Sequence, residues 1–363
     1  MDWQKLTNPE DIPSPGLLVD PERVARNIDR MISTVGRDAI KRLRPHVKSH
    51  KMTEVMQMQM DQGIHQFKAA TITELEMAAA SGASDVLLAY QPVGPNLDRL
   101  AGLIDRFPGT SFAAITDDLS CARSIAEKLG NERNPFRLFI DIDCGMHRTG
   151  IALGREMHSL RQWIENRRDV IFAGLHAYDG HLHQPCLEHR KKEVNSIQTA
   201  LEDYAAADPP PEIIVSGSPT FRIWADATDW QCSPGTTLLW DIGYARAFPE
   251  LEFEVAACLL TRVISQPGDS HICLDLGHKA IAAENPIDQR VCLQSLPDAR
   301  AVIHSEEHLV LDYPEPTKLM PGDTILAFPR HICPTVALHA SASIVSSGRA
   351  TGQSWQVNAR DRI

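Results

Sequence analysis

Arg44-Pro-His-Val-Lys-Ser-His-Lys51 decides how this chain is read. The octet holds five basic or imidazole side chains, and Pro45 pushes the residue before it towards an extended backbone. Ala39-Ile40 and Leu43 precede it, and Met52-Thr-Glu-Val-Met56 after it reads as the start of a helix. A strand over Leu43–Lys48 followed by a helix puts the cluster at a strand's carboxyl end, where α/β proteins gather their catalytic groups. A lysine crowded by other cations gives up its proton more easily, because like charges disfavour the charged form. A neutral amine is what imine formation with a carbonyl cofactor requires. A phosphate or nucleic-acid patch would carry the same residue types.

Composition weighs against the polyanion. The chain has 363 residues, with 36 Lys and Arg against 47 Asp and Glu, hence a net charge of −11. A local positive cluster in an acidic protein suits a small anionic ligand better than a nucleic acid. No uncharged apolar run approaches the roughly 18 residues that span a bilayer. The opening Met1-Asp-Trp-Gln-Lys-Leu-Thr7 lacks a basic flank followed by an apolar core. Eight cysteines without paired spacing read as reduced thiols. The expectation is a cytoplasmic protein with no membrane or nucleic-acid partner.

Beyond residue 40, short β-rich runs alternate with helical periodicity. The strand candidates are 43–48, 66–71, 85–90, 111–116, 136–141, 171–176, 212–216 and 237–241. Helical periodicity falls at 73–81, 96–106, 119–128, 156–166 and 188–207. Thr73 with Glu76, and Asp117 before Leu119, supply helix N-caps. Eight strands with intervening helices match a (β/α)8 TIM-like barrel. An open doubly wound sheet is the alternative, weakened by the absence of a GxGxxG turn after the first strand.

From about residue 250 helical periodicity fades. Runs at 253–265, 271–276, 291–294, 308–311 and 324–328 are separated by Pro, Gly and Asp, as in Pro321-Gly-Asp323. This reads as a β-rich domain that Gly16–Asp20 joins, unless that segment caps the barrel. The expected division is a barrel over 20–248 and a β-rich domain over 1–19 plus 249–363.

Several constellations fall at expected strand ends. Asp141-Ile-Asp-Cys-Gly-Met-His-Arg-Thr-Gly150 follows strand five. Its glycines allow close backbone approach and Arg148 offers a fixed cation, unless Arg148 is a buried partner of Asp143. His176-Ala-Tyr-Asp-Gly-His-Leu-His183 follows strand six and is rich in acid, base and ligand groups, though a polar loop with surface His181 and His183 looks the same. Ser216-Gly-Ser-Pro-Thr220 and Pro234-Gly-Thr-Thr237 suit a phosphate cradle of backbone N–H groups. His331 and Cys333 stand two apart. On an extended segment both project to one side and could hold one zinc with open positions, or they are an unrelated His and a buried Cys.

These motifs, with Ser305-Glu-Glu-His308 and His331-Ile-Cys-Pro-Thr335, occur in the order seen in the D-threonine aldolase and D-serine dehydratase family, which the chain resembles over nearly its whole length. The resemblance implies an alanine-racemase-type barrel binding pyridoxal 5′-phosphate, followed by a β-rich C-terminal domain carrying a divalent metal. It makes Lys48 the imine-forming and catalytic lysine, with His46 and Tyr178 as further catalytic candidates. It places Arg148 by the cofactor ring and Ser216, Gly217, Ser218, Thr220, Gly235 and Thr236 by its phosphate, with His176 a further cofactor-binding residue. His331 and Cys333 become the metal ligands, with zinc preferred and manganese the alternative. It also implies a D-3-hydroxy amino acid substrate and a homodimer.

Within that family, His-x-Cys is similar to the dehydratase members, while the aldolases tend to carry Asp at the second position; Pro334-Thr-Val336 looks aldolase-like. The expected activity is therefore a D-serine ammonia-lyase. Retro-aldol cleavage to glycine and an aldehyde is the alternative. A non-catalytic pyridoxal-phosphate carrier and a metal-free racemase are the readings of other classes.

Overall fold

The computed structural model describes residues 3, 6–268, 270–313 and 318–362, so the remaining residues of the expected domain bounds and of the opening segment lie outside the described ones. The chain forms two compact units, one of Met31–Lys48, Met56–Gly235 and Asp361–Ile363, the other of Met1–Arg30, Ser49–Val55 and Thr236–Arg360.

In chain order the strands begin with β1 (Gly16–Val19), which belongs to the β-rich unit. The barrel unit follows with β2 (Gln66–Ala69), β3 (Asp85–Leu88), β4 (Ser111–Thr116), β5 (Phe136–Asp141), β6 (Val170–Ala177), β7 (Ile213–Val215) and β8 (Gln231–Cys232). β2 to β8 form one parallel sheet in sequence order. Helices Ile72–Ala80, Pro95–Arg106, Leu119–Leu129, Arg155–Glu165 and Leu187–Ala207 alternate with them. The ring closes through the octet, where Leu43 bridges Cys232 of β8 and His46 bridges Lys68 of β2. Arg44 N–H donates to Cys232 O, and Lys68 N–H to Pro45 O, both at 2.9 Å. The arrangement is a (β/α) barrel whose first stave is irregular.

Alternation along the strands sorts the barrel interior into layers, because residues two apart face one side. At the amino ends Arg44, fully buried, meets Asp85 Oδ1 at 2.6 Å, and Arg137 meets Asp85 Oδ2 at 2.6 Å and Glu212 at 3.2 Å. Above that ionic floor Leu87, Ala113, Ile115, Phe139, Ala173 and Ile214 form a dry layer. Two residues beyond Gln66, Lys68 is 2% exposed, and two beyond Phe139, Asp141 is 3% exposed. The floor holds charge by pairing it, the middle excludes water, and the chemistry-bearing groups stand at the carboxyl ends.

The β-rich unit adds β9 (Ala257–Ser265), β10 (His271–Leu274), β11 (Val291–Leu293), β12 (Arg300–His304), β13 (Leu309–Asp312), β14 (Thr324–Pro329), β15 (Ser341–Ser346) and β16 (Arg349–Gln356). Its sheet runs β12-β13-β10-β9-β1-β15-β16, with β14 pairing both β9 and β11. β1 joins this sheet, antiparallel to β9 and parallel to β15.

The structure corrects several local expectations. The eighth strand is Gln231–Cys232, and the first two residues of the expected strand, 237 and 238, lie in the 3₁₀ helix Thr236–Leu238. Thr237, Leu238 and Leu239 are fully buried, and a fully buried apolar run carries no periodicity to separate strand from turn. The 43–48 stretch is extended only as far as His46, after which Val47–Ser49 turns as 3₁₀. The helix caps lie elsewhere by a residue or two. Thr71 accepts from Glu74 N–H, and Asp118 accepts from Cys121 N–H. Among the described residues no helix is long and apolar enough to cross a membrane.

Candidate active site

In the barrel unit, the octet divides by direction. Arg44 points to the floor. His46 Nδ1 accepts the Lys48 N–H at 3.3 Å, a local bond that shapes the turn carrying Lys48. Lys48 Nζ lies 5.4 Å from the centre of the Tyr178 ring, Lys68 Nζ 5.5 Å from it, and the Arg148 guanidinium carbon 5.2 Å from it. Three cationic side chains therefore converge on one aromatic ring, whose negative quadrupole favours cations. Glycine makes room for that ring: a Cβ at Gly180 would stand 2.3 Å from Tyr178 Cζ, and one at Gly217 3.1 Å from its Cε2.

His176 Nδ1 lies 2.6 Å from Asp141 Oδ1, and Lys68 Nζ 3.4 Å from His176 Nε2. Burial, then the neighbouring Lys48 charge, pushes the Lys68 amine down to about 7. Burial and Lys68 lower the His176 imidazole below its ordinary range, against the pull of Asp141. The crowding anticipated for the octet thus acts on Lys68, which sequence reading missed. A lysine inside a short strand reads as solvent-facing, and parity with Gln66 was the available signal.

The loop after β7 is organised by Asp179, also unforeseen. Its carboxylate accepts from Gly217 N–H at 2.9 Å and from Trp224 Nε1–H at 2.7 Å. Gly217 N–H, expected at the phosphate, is therefore committed to Asp179. Ser216 Oγ accepts from Ser233 N–H at 3.1 Å, and Ser218 Oγ accepts from Gly235 N–H at 3.2 Å. Thr220 Oγ1 donates to Gly217 O at 3.4 Å. Hydroxyls are the donor type that an anion takes, and Ser216 is hydrogen-bonded to the Cys232 thiol as well. A buried hydroxyl cluster, the Lys48 amine and the Arg148 cation fit an aldehyde-bearing phosphate ester. Arg148 is exposed and does not pair with Asp143, whose carboxylate meets His147 Nδ1 at 2.8 Å.

The β-rich unit holds the second constellation. His331 caps the short helix Ile332–Val336, so the His-x-Cys segment is a helix start rather than the expected extended run. Buried Asp241 fixes that start, accepting from Ile332 N–H at 3.1 Å and from Tyr244 N–H at 2.8 Å. Burial pushes the Asp241 carboxyl up to about 6. Cys333 Sγ lies 3.2 Å from Ser49 Oγ and 3.3 Å from Thr236 Oγ1. Thr236, expected at the phosphate, is here a partner of the sulfur. Burial is the largest influence and opposes charge on both members of the pair. Their mutual hydrogen bond and charge attraction, with Asp241 and Glu284 acting on His331 and Ser49 and Thr236 acting on Cys333, together outweigh it. His331 rises to about 9 and the Cys333 thiol falls below its ordinary range. His331 Nδ1 also meets Glu284 Oε1 at 2.7 Å. A thiolate and an imidazole oriented by a carboxylate form a donor set suited to zinc. Among the described residues no group of three or more His, Cys, Asp or Glu is arranged around one point, so an ion there would keep open positions.

Comparison with known proteins accords with this geometry. The family model described as "Alanine racemase, N-terminal domain" matches residues 19–241, and one described as "Putative serine dehydratase domain" matches residues 256–345. A curated D-threonine aldolase from Arthrobacter sp. is 24% identical over 96% of this chain and 93% of its own. The crystal structure of D-threonine aldolase from Filomicrobium marinum superposes with a TM-score of 0.87 at 24% identity, covering 97% of this chain and 96% of that one. A metal-free structure of a cysteine variant of D-threo-3-hydroxyaspartate dehydratase has a TM-score of 0.76 at 22% identity, covering 99% of each chain. Another structure of that enzyme carries a replaced histidine two positions before the cysteine, with a TM-score of 0.74. The structural likenesses show the fold, and the model spanning 19–241 shows the family: this chain belongs to the alanine racemase N-terminal domain family.

Proposed function

We propose that this protein is a pyridoxal 5′-phosphate- and divalent-metal-dependent lyase of D-3-hydroxy amino acids, acting by β-elimination in the manner of a D-serine dehydratase. The observation that carries the reading is the His331–Cys333 pair, an imidazole held by Glu284 at 2.7 Å and, two residues on, a sulfur that lies 3.2 Å from Ser49 Oγ and 3.3 Å from Thr236 Oγ1. The named dehydratase whose structures carry a replaced cysteine and a replaced histidine has the same spacing, and one of those structures is the metal-free form.

When bound, the cofactor supplies an electron sink for charge developing at Cα, and the metal supplies a Lewis acid for a hydroxyl. Lys48 would hold the cofactor through its aldehyde, and its amine would be the base for the Cα proton. Arg148 and the Tyr178 ring orient the bound group, and the hydroxyls of Ser216, Ser218 and Thr220 hold its phosphate. His176, tied to Asp141, offers a ring of fixed orientation. His331 and Cys333 hold the metal, and Glu284 aims the imidazole. For D-serine the elements of water leave across Cα–Cβ, and hydrolysis of the resulting imino acid yields pyruvate and ammonia.

Retro-aldol cleavage is the second reading, favoured by the likeness to D-threonine aldolase along almost the whole chain. It needs a base at the 3-hydroxyl instead of at Cα. Incubating the purified protein with D-serine and with D-threonine separates the two. A 2-oxo acid and ammonia are expected, whereas glycine and acetaldehyde without oxo acid overturn the dehydratase reading. No product from either substrate or from a 3-hydroxyaspartate overturns the lyase reading.

A further inference from the structure

We propose that Lys68 is a positioning residue of the barrel cleft, whose ammonium holds His176 as the neutral Nδ1–H imidazole against Asp141. The inference rests on the reading that this cleft is the catalytic one.

Lys68 is 2% exposed and its Nζ stands 3.4 Å from His176 Nε2. An ammonium donates and never accepts, so Nε2 must present its lone pair and the ring proton must sit on Nδ1. That proton faces Asp141 Oδ1 at 2.6 Å, the charge-assisted distance. Asp141 alone would draw a second proton onto the ring, and the Lys68 charge opposes it. A buried row of ammonium, neutral imidazole and carboxylate results, with the ring lining a recess that Arg148 and Tyr178 share. The groups that act on Lys68 are Lys48, Arg44, Asp141 and Asp179, and those that act on His176 are Lys68, Asp141 and Arg148. Burial and Lys48 bring the Lys68 amine to about 7. The lock is therefore present below that pH and fades as pH rises through it.

The test follows the His176 ring nitrogens by NMR in the full-length protein as purified, with pyridoxal 5′-phosphate present, in wild type, Lys68→Arg and Lys68→Met. Wild type should show the Nδ1–H tautomer with an inflection near pH 7. Lys68→Arg, charged throughout, should keep that tautomer and lose the inflection. Lys68→Met should bind a proton on His176 at least tenfold more tightly and mix the tautomers. Unchanged His176 titration in Lys68→Met overturns the proposal. Should that variant not fold, a persisting inflection near pH 7 in Lys68→Arg overturns it instead. In turnover, the corresponding limb of the kcat/KM profile should vanish in Lys68→Arg. The nitrogen shifts need no substrate, so a failed lyase reading leaves them standing, and their failure leaves the lyase reading untouched.

Discussion

Ser49 Oγ lies 3.2 Å from Cys333 Sγ, and Ser49 is the residue that follows Lys48 in the chain. Thr236, the residue that follows Gly235, meets the same sulfur at 3.3 Å. Both hydroxyls favour the thiolate over the thiol, and His331 does so with a charge as well. The octet and the Gly-Thr pair thus each contribute a side chain to the sulfur's surroundings, a role that their basic and glycine character does not suggest.

Metal content is the first expected consequence. Cys333→Ser and His331→Ala should each take bound zinc from one equivalent per chain to none by elemental analysis, and chelation should abolish turnover of wild type. Glu284→Gln should retain zinc with roughly 10- to 100-fold weaker affinity, the usual effect of losing a carboxylate that orients a ligand. Activity undiminished after chelation removes the metal from the mechanism.

Lys48→Ala should lose the visible absorbance of a lysine-linked cofactor and at least about 10³-fold in turnover, as expected when a proton-transferring group is removed. Borohydride reduction of the wild type followed by peptide mapping should place the label on Lys48. A label on Lys68 would reassign the imine.

Acid stability should report on His50. It is fully buried, accepts Met52 N–H through Nδ1, and leaves Nε2 without a hydrogen-bond partner, so burial lowers it to about 3. Between pH 6.5 and 3 the unfolded chain binds a proton there that the folded chain does not, so stability falls as pH falls. From pH 7 to 5 the loss is about 2 kcal/mol at 1.36 kcal/mol per unit. Denaturant titrations of His50→Leu, weaker near neutral pH for want of the Met52 acceptor, should lack that part of the slope, so the gap to wild type narrows as pH falls.

The barrel floor makes a further prediction. Asp85→Ala leaves Arg44, fully buried, without its 2.6 Å partner and should cost about 3–5 kcal/mol. Burial would raise the Asp85 carboxyl, but Arg44 and Arg137 hold it below its ordinary range. Its contribution is therefore present above the ordinary carboxylate range and lost as pH falls through the lowered value. Arg44→Met with Asp85→Leu should recover most of the single-variant loss in urea titrations, because neither charge is then left buried alone.

Sequence pattern by itself determined the alternation of strands and helices, the β-rich texture after residue 250 and the family motifs. These are local: periodicity, turn residues and short spacings need no knowledge of what packs on them. β12, β15 and β16 escaped notice because exposed and polar positions interrupt their alternation. Tertiary structure alone decided how the octet is spent, with Arg44 on the ionic floor, His46 and His50 closing local turns, and Lys48 over Tyr178. It also supplied Lys68, Asp179, Asp241 and Glu284, whose partners lie tens to over a hundred residues away. A charged residue's role is set by the groups that share its buried space, and that space exists only after strands distant in the chain have closed around it.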